Sequence, residues 1–176
     1  MRSVLSTGMV NIECTEKYLT PLHMAASCGY HDVLELLLEA GGNVNMQDSW
    51  GRIPLHLAKD QRMAKLLLDE GSYLHKEDAS RNTPLHNASM HGRSDVVKFL
   101  LEDGADPNRS GMGGKSPLHS MFYCNPSKSK DIAKLLIDNG ADVNMVADNG
   151  HTPLWFALRM KHTEVADLIR EHGGVE

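Results

Sequence analysis

A short motif ending in Pro-Leu-His recurs along this chain of 176 residues at nearly constant spacing. Its four copies, and a fifth in which Trp replaces His, are Thr20–His23, Ile53–His56, Thr83–His86, Ser116–His119 and Thr152–Trp155. The motif prolines stand at positions 21, 54, 84, 117 and 153, so successive copies are 33, 30, 33 and 36 residues apart. Repeats with a period in this range stack side by side and bury a shared core. The sequence therefore predicts one elongated solenoid.

The third repeat illustrates how each unit is predicted to fold. Thr83 can cap a helix, and Pro84 follows at the first helical position, where its missing N–H costs no hydrogen bond. Gly92 is placed to end that helix with a positive φ. A second helix is predicted over 94–103, before Gly104, with apolar residues at helical spacing: Val96, Val97, Leu100 and Leu101. The turn-rich stretch after each second helix predicts an extended hairpin that leads to the next cap.

Two segments match the pattern of one repeat family closely. Residues 48–58 read Asp-Ser-Trp-Gly-Arg-Ile-Pro-Leu-His-Leu-Ala, and residues 135–144 read Leu-Leu-Ile-Asp-Asn-Gly-Ala-Asp-Val-Asn. In these motifs the chain resembles the ankyrin repeat family, and the resemblance covers about residues 15–176. It implies an all-α solenoid of stacked antiparallel helix pairs, with β-hairpin loops that project from the stack.

The repeats imply a single ankyrin-repeat domain over residues 1–176, in which residues 1–14 are the remnant of a preceding hairpin. The five predicted repeats are 15–47, 48–77, 78–110, 111–146 and 147–176. The second repeat lacks three residues between its helices, since Ala58 to Leu66 is 8 positions whereas Ala25 to Leu36 is 11. We therefore expect a short first helix there and a weak layer in the stack.

The fourth repeat is longer by three residues, because Met121 to Leu135 is 14 positions. The extra residues fall within 124–130. We expect Pro126 to stop the first helix and the rest to loop out as a tolerated surface insertion. The alternative interpretations are a contact loop and a phosphorylation switch at Ser127 or Ser129.

Composition and charge exclude several classes of function. The net charge of −5 is mild, whereas nucleic-acid binding favours a basic face, so no nucleic-acid partner is expected. No apolar run reaches the roughly 18 residues of a membrane span, and no secretory signal is apparent. The three cysteines are odd in number and fit no zinc pattern. We expect an intracellular, cytoplasmic or nuclear protein with reduced thiols that is monomeric.

The sequence offers little evidence for catalysis, a metal or a cofactor. The segment from Gly111 to Ser116 ends like a phosphate-binding loop, but Arg109 stands where that loop needs its first glycine. A nucleotide-dependent switch that uses Lys115 is therefore a minor alternative. The family resemblance gives structural hydrogen bonds to the repeat histidines, and Trp155 is expected to pack in the last layer. The remaining candidates form no recognisable set of catalytic or metal-ligating residues, so we expect neither an enzyme nor a metal site.

The resemblance also implies where a partner would bind, namely on the concave face made by hairpin tips and first helices. Interface hot spots favour Trp, Tyr and Arg, and Met gives adaptable contacts. The candidate partner-binding residues at these positions are Trp50, Arg52, Asn82, Met90, His91, Met112, Tyr123, Arg159 and Met160. Trp50 has an equally strong alternative interpretation, in which its ring lies flat on its own hairpin as packing.

These residues predict a non-catalytic module that binds a protein or peptide. The alternative is a structural spacer within a larger protein, in which no groove substitution would alter any interaction. The family resemblance adds one possible modification, hydroxylation of the hairpin asparagines Asn45, Asn108 and Asn144, while His75 replaces the asparagine in the second repeat.

Overall fold

The computed structural model describes residues 19–176, and these form a continuous stack of helix pairs. Its α-helices are α1 Pro21–Cys28, α2 His31–Glu39, α3 Gln61–Asp69, α4 Pro84–Met90, α5 Ser94–Glu102, α6 Pro117–Ser120, α7 Pro126–Asp138, α8 Pro153–Arg159 and α9 Thr163–Glu171. Three short 3₁₀ helices are Pro54–Leu57, Met112–Gly114 and Met121–Tyr123. No strand occurs between residues 19 and 176, so the predicted all-α class is confirmed over that range.

Contacts between helices follow the order of the repeats. Along one side α1 packs on the 3₁₀ helix Pro54–Leu57, which packs on α4, then α6 and α8. Along the other side α2, α3, α5, α7 and α9 pack in sequence. First and second helices therefore form two parallel layers. The motif leucines lie between them, at most 3% exposed in every repeat: Leu22, Leu55, Leu85, Leu118 and Leu154.

The motif histidine fastens each repeat to the next. In the third repeat the backbone N–H of Thr83 donates to Nδ1 of His86 at 3.1 Å. Nδ1 is therefore an acceptor, so the proton lies on Nε2, which donates to the carbonyl oxygen of Lys115 at 3.1 Å. The expected structural role of the repeat histidines is confirmed, since equivalent bonds join His23 to Arg52, His56 to Asn82 and His119 to His151 at 2.9, 3.1 and 3.3 Å.

Hairpin turns project between the repeats, and backbone hydrogen bonds link neighbouring turns. The N–H of Ala79 donates to the carbonyl of Trp50 at 2.8 Å, and that of Asp148 donates to Gly113 at 2.9 Å. Gly51 has φ +72°, and an added Cβ would lie 2.8 Å from the nitrogen of Ala79. The close approach of the two turns therefore requires glycine at this position.

The second repeat has the short first helix that its deletion predicts. Only the 3₁₀ helix Pro54–Leu57 forms, and the chain then turns without a glycine. Asp60 caps α3, because its Oδ1 accepts from the N–H of Met63 at 3.0 Å. Arg93 of the next repeat donates to the carbonyl oxygen of Ala58 at 2.8 Å. The Arg93 side chain thus satisfies a carbonyl at the end of the shortened helix, and Asp60 satisfies an N–H in the first turn of α3.

The prediction that residues 124–130 loop out is wrong. Pro126 begins α7, which is 13 residues long, so the insertion lengthens the second helix at its start. Asn125 caps this helix through its Oδ1, which accepts from the N–H of Ser127 at 3.0 Å. Pro126 is tolerated there because the first helical position needs no N–H donor. The first helix has already ended at Ser120 and passes into a 3₁₀ turn.

The structure also separates the two candidate phosphorylation sites of the fourth repeat. Ser129 is buried, and its hydroxyl lies 2.9 Å from Nδ1 of His162 in the fifth repeat. Ser127 is exposed in the first turn of α7. Ser129 is therefore a packing residue that joins two repeats, and it is not accessible to a modifying enzyme in the folded state.

The last layer contains the aromatic packing expected of Trp155. Its ring stacks on the imidazole of His151, with ring centroids 3.6 Å apart and an interplanar angle of 3°. Phe156 meets Trp155 edge to face with centroids 5.2 Å apart. These contacts join the hairpin of the fifth repeat to its own first helix.

Several predictions concern residues outside the described range. They are the hairpin remnant at 1–14, Cys14, and the start of the first repeat before Leu19. The repeat boundaries given above remain predictions. Within residues 19–176, Cys28 and Cys124 are free thiols. No helix of that range has the length and apolar character needed to cross a membrane.

Candidate protein-binding groove

Four of the nine predicted partner-binding residues meet at one cavity of about 270 Å³. Asn82 and Met90 come from the third repeat, and Met112 and Tyr123 come from the fourth. The remaining lining residues are Lys115 and Ser120. We call this set of six residues the groove cavity. It lies between the hairpin of the fourth repeat and the ends of two first helices, which is the face on which a partner was expected.

Asn82 holds the two repeats in register at the base of the groove cavity. It is buried, and its Oδ1 accepts from the backbone N–H of Met112 at 3.2 Å. Gly111 comes so close that an added Cβ would lie 2.9 Å from Nε2 of His86. The backbone of the hairpin therefore rests directly on the first helix of the third repeat, and Met112 is carried outward with 58% of its surface exposed.

Lys115 and Tyr123 form the mouth of the groove cavity. Nζ of Lys115 donates to the hydroxyl oxygen of Tyr123 at 2.6 Å. The same ammonium group lies 5.0 Å from the centroid of the Tyr123 ring and 5.5 Å from that of Phe156. The distance to Phe156 fits a cation–π contact, which adds to the hydrogen bond with Tyr123. Tyr123 is nevertheless 53% exposed, so the pair is accessible to a partner.

The same geometry explains the apparent phosphate-binding loop. Residues 112–114 form a 3₁₀ turn, and the N–H of Gly111 donates to the carbonyl oxygen of Lys115 at 2.8 Å. The ammonium group of Lys115 contacts aromatic side chains. These residues therefore have a complete structural explanation as a hairpin and helix cap.

Lys115 and Ser120 are the lining residues that the sequence-based list omitted. Lys115 precedes a helix cap, the same repeat position as Arg52 and Asn82, so that position was a usable signal. The sequence position of Ser120 did not indicate that it lines the cavity. Ser120 is the last residue of α6, which ends early and passes into the 3₁₀ turn.

Trp50 and Arg52 form a separate feature on the hairpin of the second repeat. The guanidinium carbon of Arg52 lies 4.5 Å from the centroid of the Trp50 ring. Nη2 of Arg52 also pairs with Asp48 at 2.7 Å, and the carboxylate side chain of Asp48 is fully buried. Trp50 therefore packs on its own hairpin, as the alternative interpretation holds, while 42% of its surface stays exposed.

The other three predicted residues do not line the groove cavity. His91 follows α4, Arg159 is the last residue of α8, and Met160 caps that helix. All three are exposed at the ends of first helices. They share the face of the groove cavity by repeat position, because Met90 and Tyr123 occupy the equivalent ends in the third and fourth repeats.

The repeat histidines are suited to structure rather than to proton transfer or metal binding. Burial lowers the pKa of His56 to about 4, although its hydrogen bond to the carbonyl of Asn82 opposes the shift. Burial likewise lowers the pKa of His119 to about 4. Both rings are therefore neutral near pH 7. No cluster of three or more His, Cys, Asp or Glu side chains suited to a metal occurs within residues 19–176.

Each of the three hairpin asparagines makes two side-chain hydrogen bonds to backbone groups about 30 residues further along the chain. Nδ2 of Asn108 donates to the carbonyl of Gly140 at 2.9 Å, and its Oδ1 accepts from the N–H of Asp142 at 2.7 Å. Asn45 makes the equivalent pair of bonds to Gly71 and Tyr73, and Asn144 makes it to Gly173 and Val175. Each side chain therefore has a structural role that does not depend on hydroxylation.

Comparison with known proteins assigns the family. The model for ankyrin repeats matches in three copies, over residues 2–78, 22–111 and 109–176. The chain belongs to the ankyrin repeat family. Ankyrin repeats are generally protein–protein interaction modules, which agrees with the coarse function predicted from the sequence.

Several curated relatives share this ankyrin region. Mouse ankyrin repeat and SOCS box protein 16 is 31% identical over 114 residues, which cover 58% of this chain and 25% of the relative. Pig NF-kappa-B inhibitor alpha is 37% identical over 98 residues, 51% of this chain and 31% of the relative. The mouse B-cell lymphoma 3 protein homolog is 32% identical over 118 residues, 64% of this chain and 26% of the relative. The chain thus spans less than a third of each relative.

Proposed function

We propose that this ankyrin-repeat chain is a non-catalytic module that binds a protein or peptide through the face containing the groove cavity. The observation that carries the proposal is the convergence of Met90, Met112 and Tyr123, from two repeats, around one apolar opening. Exposed Met and Tyr side chains at a shaped cavity are typical of interaction surfaces. The fold leaves these positions free to vary, so partner recognition explains them better than stability does.

The relatives support a protein partner in general terms. The name of NF-kappa-B inhibitor alpha describes a protein that acts on another protein, and its ankyrin region is similar to this chain. We further propose an intracellular, monomeric binder with no nucleic-acid partner, no cofactor and no catalytic activity. We also retain hydroxylation of Asn45, Asn108 and Asn144 as an implication of the family, which intact mass would test as one added oxygen per modified residue.

The test is capture of partners by the whole chain, with matched variants. The test variant is Met90→Ala with Tyr123→Ala. The control variant is Met145→Ala with Tyr73→Ala, which removes the same side chains at sites that do not line the groove cavity. Urea unfolding must show that both variants are folded before cross-linked partners are compared by mass spectrometry.

We expect specific proteins to be lost from the test variant and kept by the control. Equal capture by all three chains would contradict a binding role for this face and would favour the structural spacer. Saturable ATP or GTP binding that is lost in Lys115→Ala would instead favour the nucleotide-dependent switch.

A further inference from the structure

Lys115 forms no direct ion pair with a carboxylate of the described chain. None of the ion pairs within residues 19–176 includes Lys115. By contrast, Lys65 pairs with Asp69 at 2.8 Å, and Arg52 pairs with Asp48 at 2.7 Å. Lys115 is also half-buried, so solvent screens its charge less than that of a lysine on an open surface. An unpaired, partly desolvated cation at the mouth of a cavity favours an anionic group on whatever enters it.

The hydrogen-bonding capacity at this mouth is also incomplete. A lysine ammonium has three donors, and the bond to Tyr123 uses one of them. The tyrosine hydroxyl accepts that bond, so its own hydrogen is available to donate. The two polar atoms are 2.6 Å apart, a separation that suits the two oxygens of one carboxylate. Lys115 and Tyr123 therefore form a ready pair of donors for a single acidic group.

The interior of the groove cavity is apolar and small. Met90 and Met112 form its flexible walls, and methionine adapts readily to the shape of a bound side chain. Its volume of about 270 Å³ lies below the roughly 300–1,000 Å³ of sites that enclose whole small-molecule ligands. The size suits one large apolar side chain of a protein segment.

The distribution of charge supports the same kind of partner. The chain has a net charge of −5, and each of the five second helices ends on an acidic residue: Glu39, Asp69, Glu102, Asp138 and Glu171. The groove side presents two cations, Lys115 and the exposed Arg159 at the end of the next first helix, and one exposed carboxylate, Asp148, on the neighbouring hairpin beside Gly114. An acidic segment would thus be attracted to the groove cavity and repelled by the second-helix ends.

On the basis of the proposed function, we propose that the groove cavity recognises an acidic protein segment. One large apolar side chain of that segment inserts between Met90 and Met112. A neighbouring Asp or Glu side chain of the segment binds Lys115 and Tyr123 together. The apolar insertion gives most of the contact area, while the carboxylate selects acidic over basic or neutral sequences.

The experiment uses synthetic peptides of equal length and the whole chain labelled with ¹³C at the methionine methyl groups. The peptides have a central Leu or Ala, flanked by Glu, Gln or Lys. Binding is followed by the methyl signals of Met90 and Met112, with Met24 and Met145 as internal controls. Each titration is repeated with Lys115→Met, and with Lys134→Met as a matched loss of charge at an exposed lysine of α7.

We expect the peptide with Leu flanked by Glu to shift the Met90 and Met112 signals at the lowest concentration. Its affinity should fall about tenfold in Lys115→Met and stay unchanged in Lys134→Met, because only the first variant removes the cation that pairs with the peptide carboxylate. The Gln-flanked peptide should bind as weakly to the wild-type chain as to Lys115→Met. This double-mutant cycle isolates the contact between the carboxylate and Lys115.

Three outcomes would overturn the inference: equal binding of the Lys-flanked peptide, an unchanged affinity in Lys115→Met, or no shift at Met90 and Met112 with any peptide. The partner-capture experiment judges the proposed function separately. Partners lost from the Met90→Ala, Tyr123→Ala variant but retained by Lys115→Met would uphold a binding groove and refute its acidic specificity.

Discussion

The second and fourth repeats differ from the regular length in opposite directions, and the stack accommodates both in the same way. The second lacks three residues between its helices and the fourth gains three, yet α3 and α7 both begin at a side-chain cap. Asp60 caps α3 and Asn125 caps α7. In the regular first and third repeats the junction instead depends on the positive φ of Gly29 and Gly92. The irregular junctions thus use a capping side chain where the regular junctions use a glycine with positive φ.

The two repeats also differ in what the altered junction produces. In the second repeat the chain turns early, and Asp60 is used in a bond of 2.9 Å to His31 of the first repeat. In the fourth repeat the first helix passes into the 3₁₀ helix Met121–Tyr123, which places Tyr123 beside Lys115. The shortened repeat makes additional contacts within the stack, whereas the lengthened one makes an accessible cavity.

The largest expected effect is acid destabilisation through one histidine in each of these two repeats. Burial lowers the pKa of both His56 and His119 to about 4, while the unfolded chain has the ordinary value near 6.5. Below pH 6.5 the unfolded state therefore binds more protons than the folded state. Stability is full above that pH, falls as the pH drops toward 4, and changes little further below it through these groups.

The loss should reach about 3 kcal/mol for each histidine at pH 4, since one unit of pKa shift corresponds to about 1.4 kcal/mol. Urea unfolding between pH 7.5 and 4 would measure it, while NMR titration of the two imidazole rings would give their folded-state pKa values. A stability that rises as the pH falls from 6.5 to 5 would contradict the burial of neutral rings in both repeats.

A smaller effect on stability should distinguish the cap of α3 from the cap of α7. Asp60→Ala removes the cap of α3 together with the bond to His31, so we expect a loss of about 2 kcal/mol of unfolding free energy. Asn125→Ala removes only a cap, and about 1 kcal/mol should be lost. Asp60→Asn keeps a capping oxygen and should fall between wild type and Asp60→Ala. Chemical denaturation of the three variants near pH 7 would establish the order, and an equal loss in Asp60→Ala and Asn125→Ala would remove the proposed difference.

Local signals in the sequence were sufficient for the regular parts of the fold. Pro84 and Gly92 stand where they were predicted, and Thr83 occupies the N-cap position, where its hydroxyl lies 2.8 Å from Nδ1 of His86. The family resemblance predicted structural hydrogen bonds for the repeat histidines, and the bond from His86 to the carbonyl oxygen of Lys115 in the next repeat is one of them.

Sequence-based prediction failed in two places. In one, a residue type is compatible with two different structures, and in the other the contact joins distant parts of the chain. Proline can end one helix or begin the next. Pro126 begins a helix here, because Asn125 supplies the cap for α7. The pair of Lys115 and Tyr123 depends on how a hairpin approaches the end of a first helix. No rule of sequence spacing describes that approach, so the contact between the two residues was not predicted, although the repeat position of Lys115 marked it as a candidate.

The smallest expected effect gives the most direct test of the lengthened helix. Ser127 is exposed in the first turn of α7, where the helix dipole favours negative charge. Ser127→Glu should therefore raise the free energy of unfolding by about 0.5 kcal/mol at low ionic strength, and salt should reduce the gain. Ser127→Gln is the control of matched size without the charge, and denaturant unfolding at two salt concentrations would compare them. If residues 124–130 formed a loop, the two variants would be equally stable, because a loop has no helix dipole to stabilise the carboxylate.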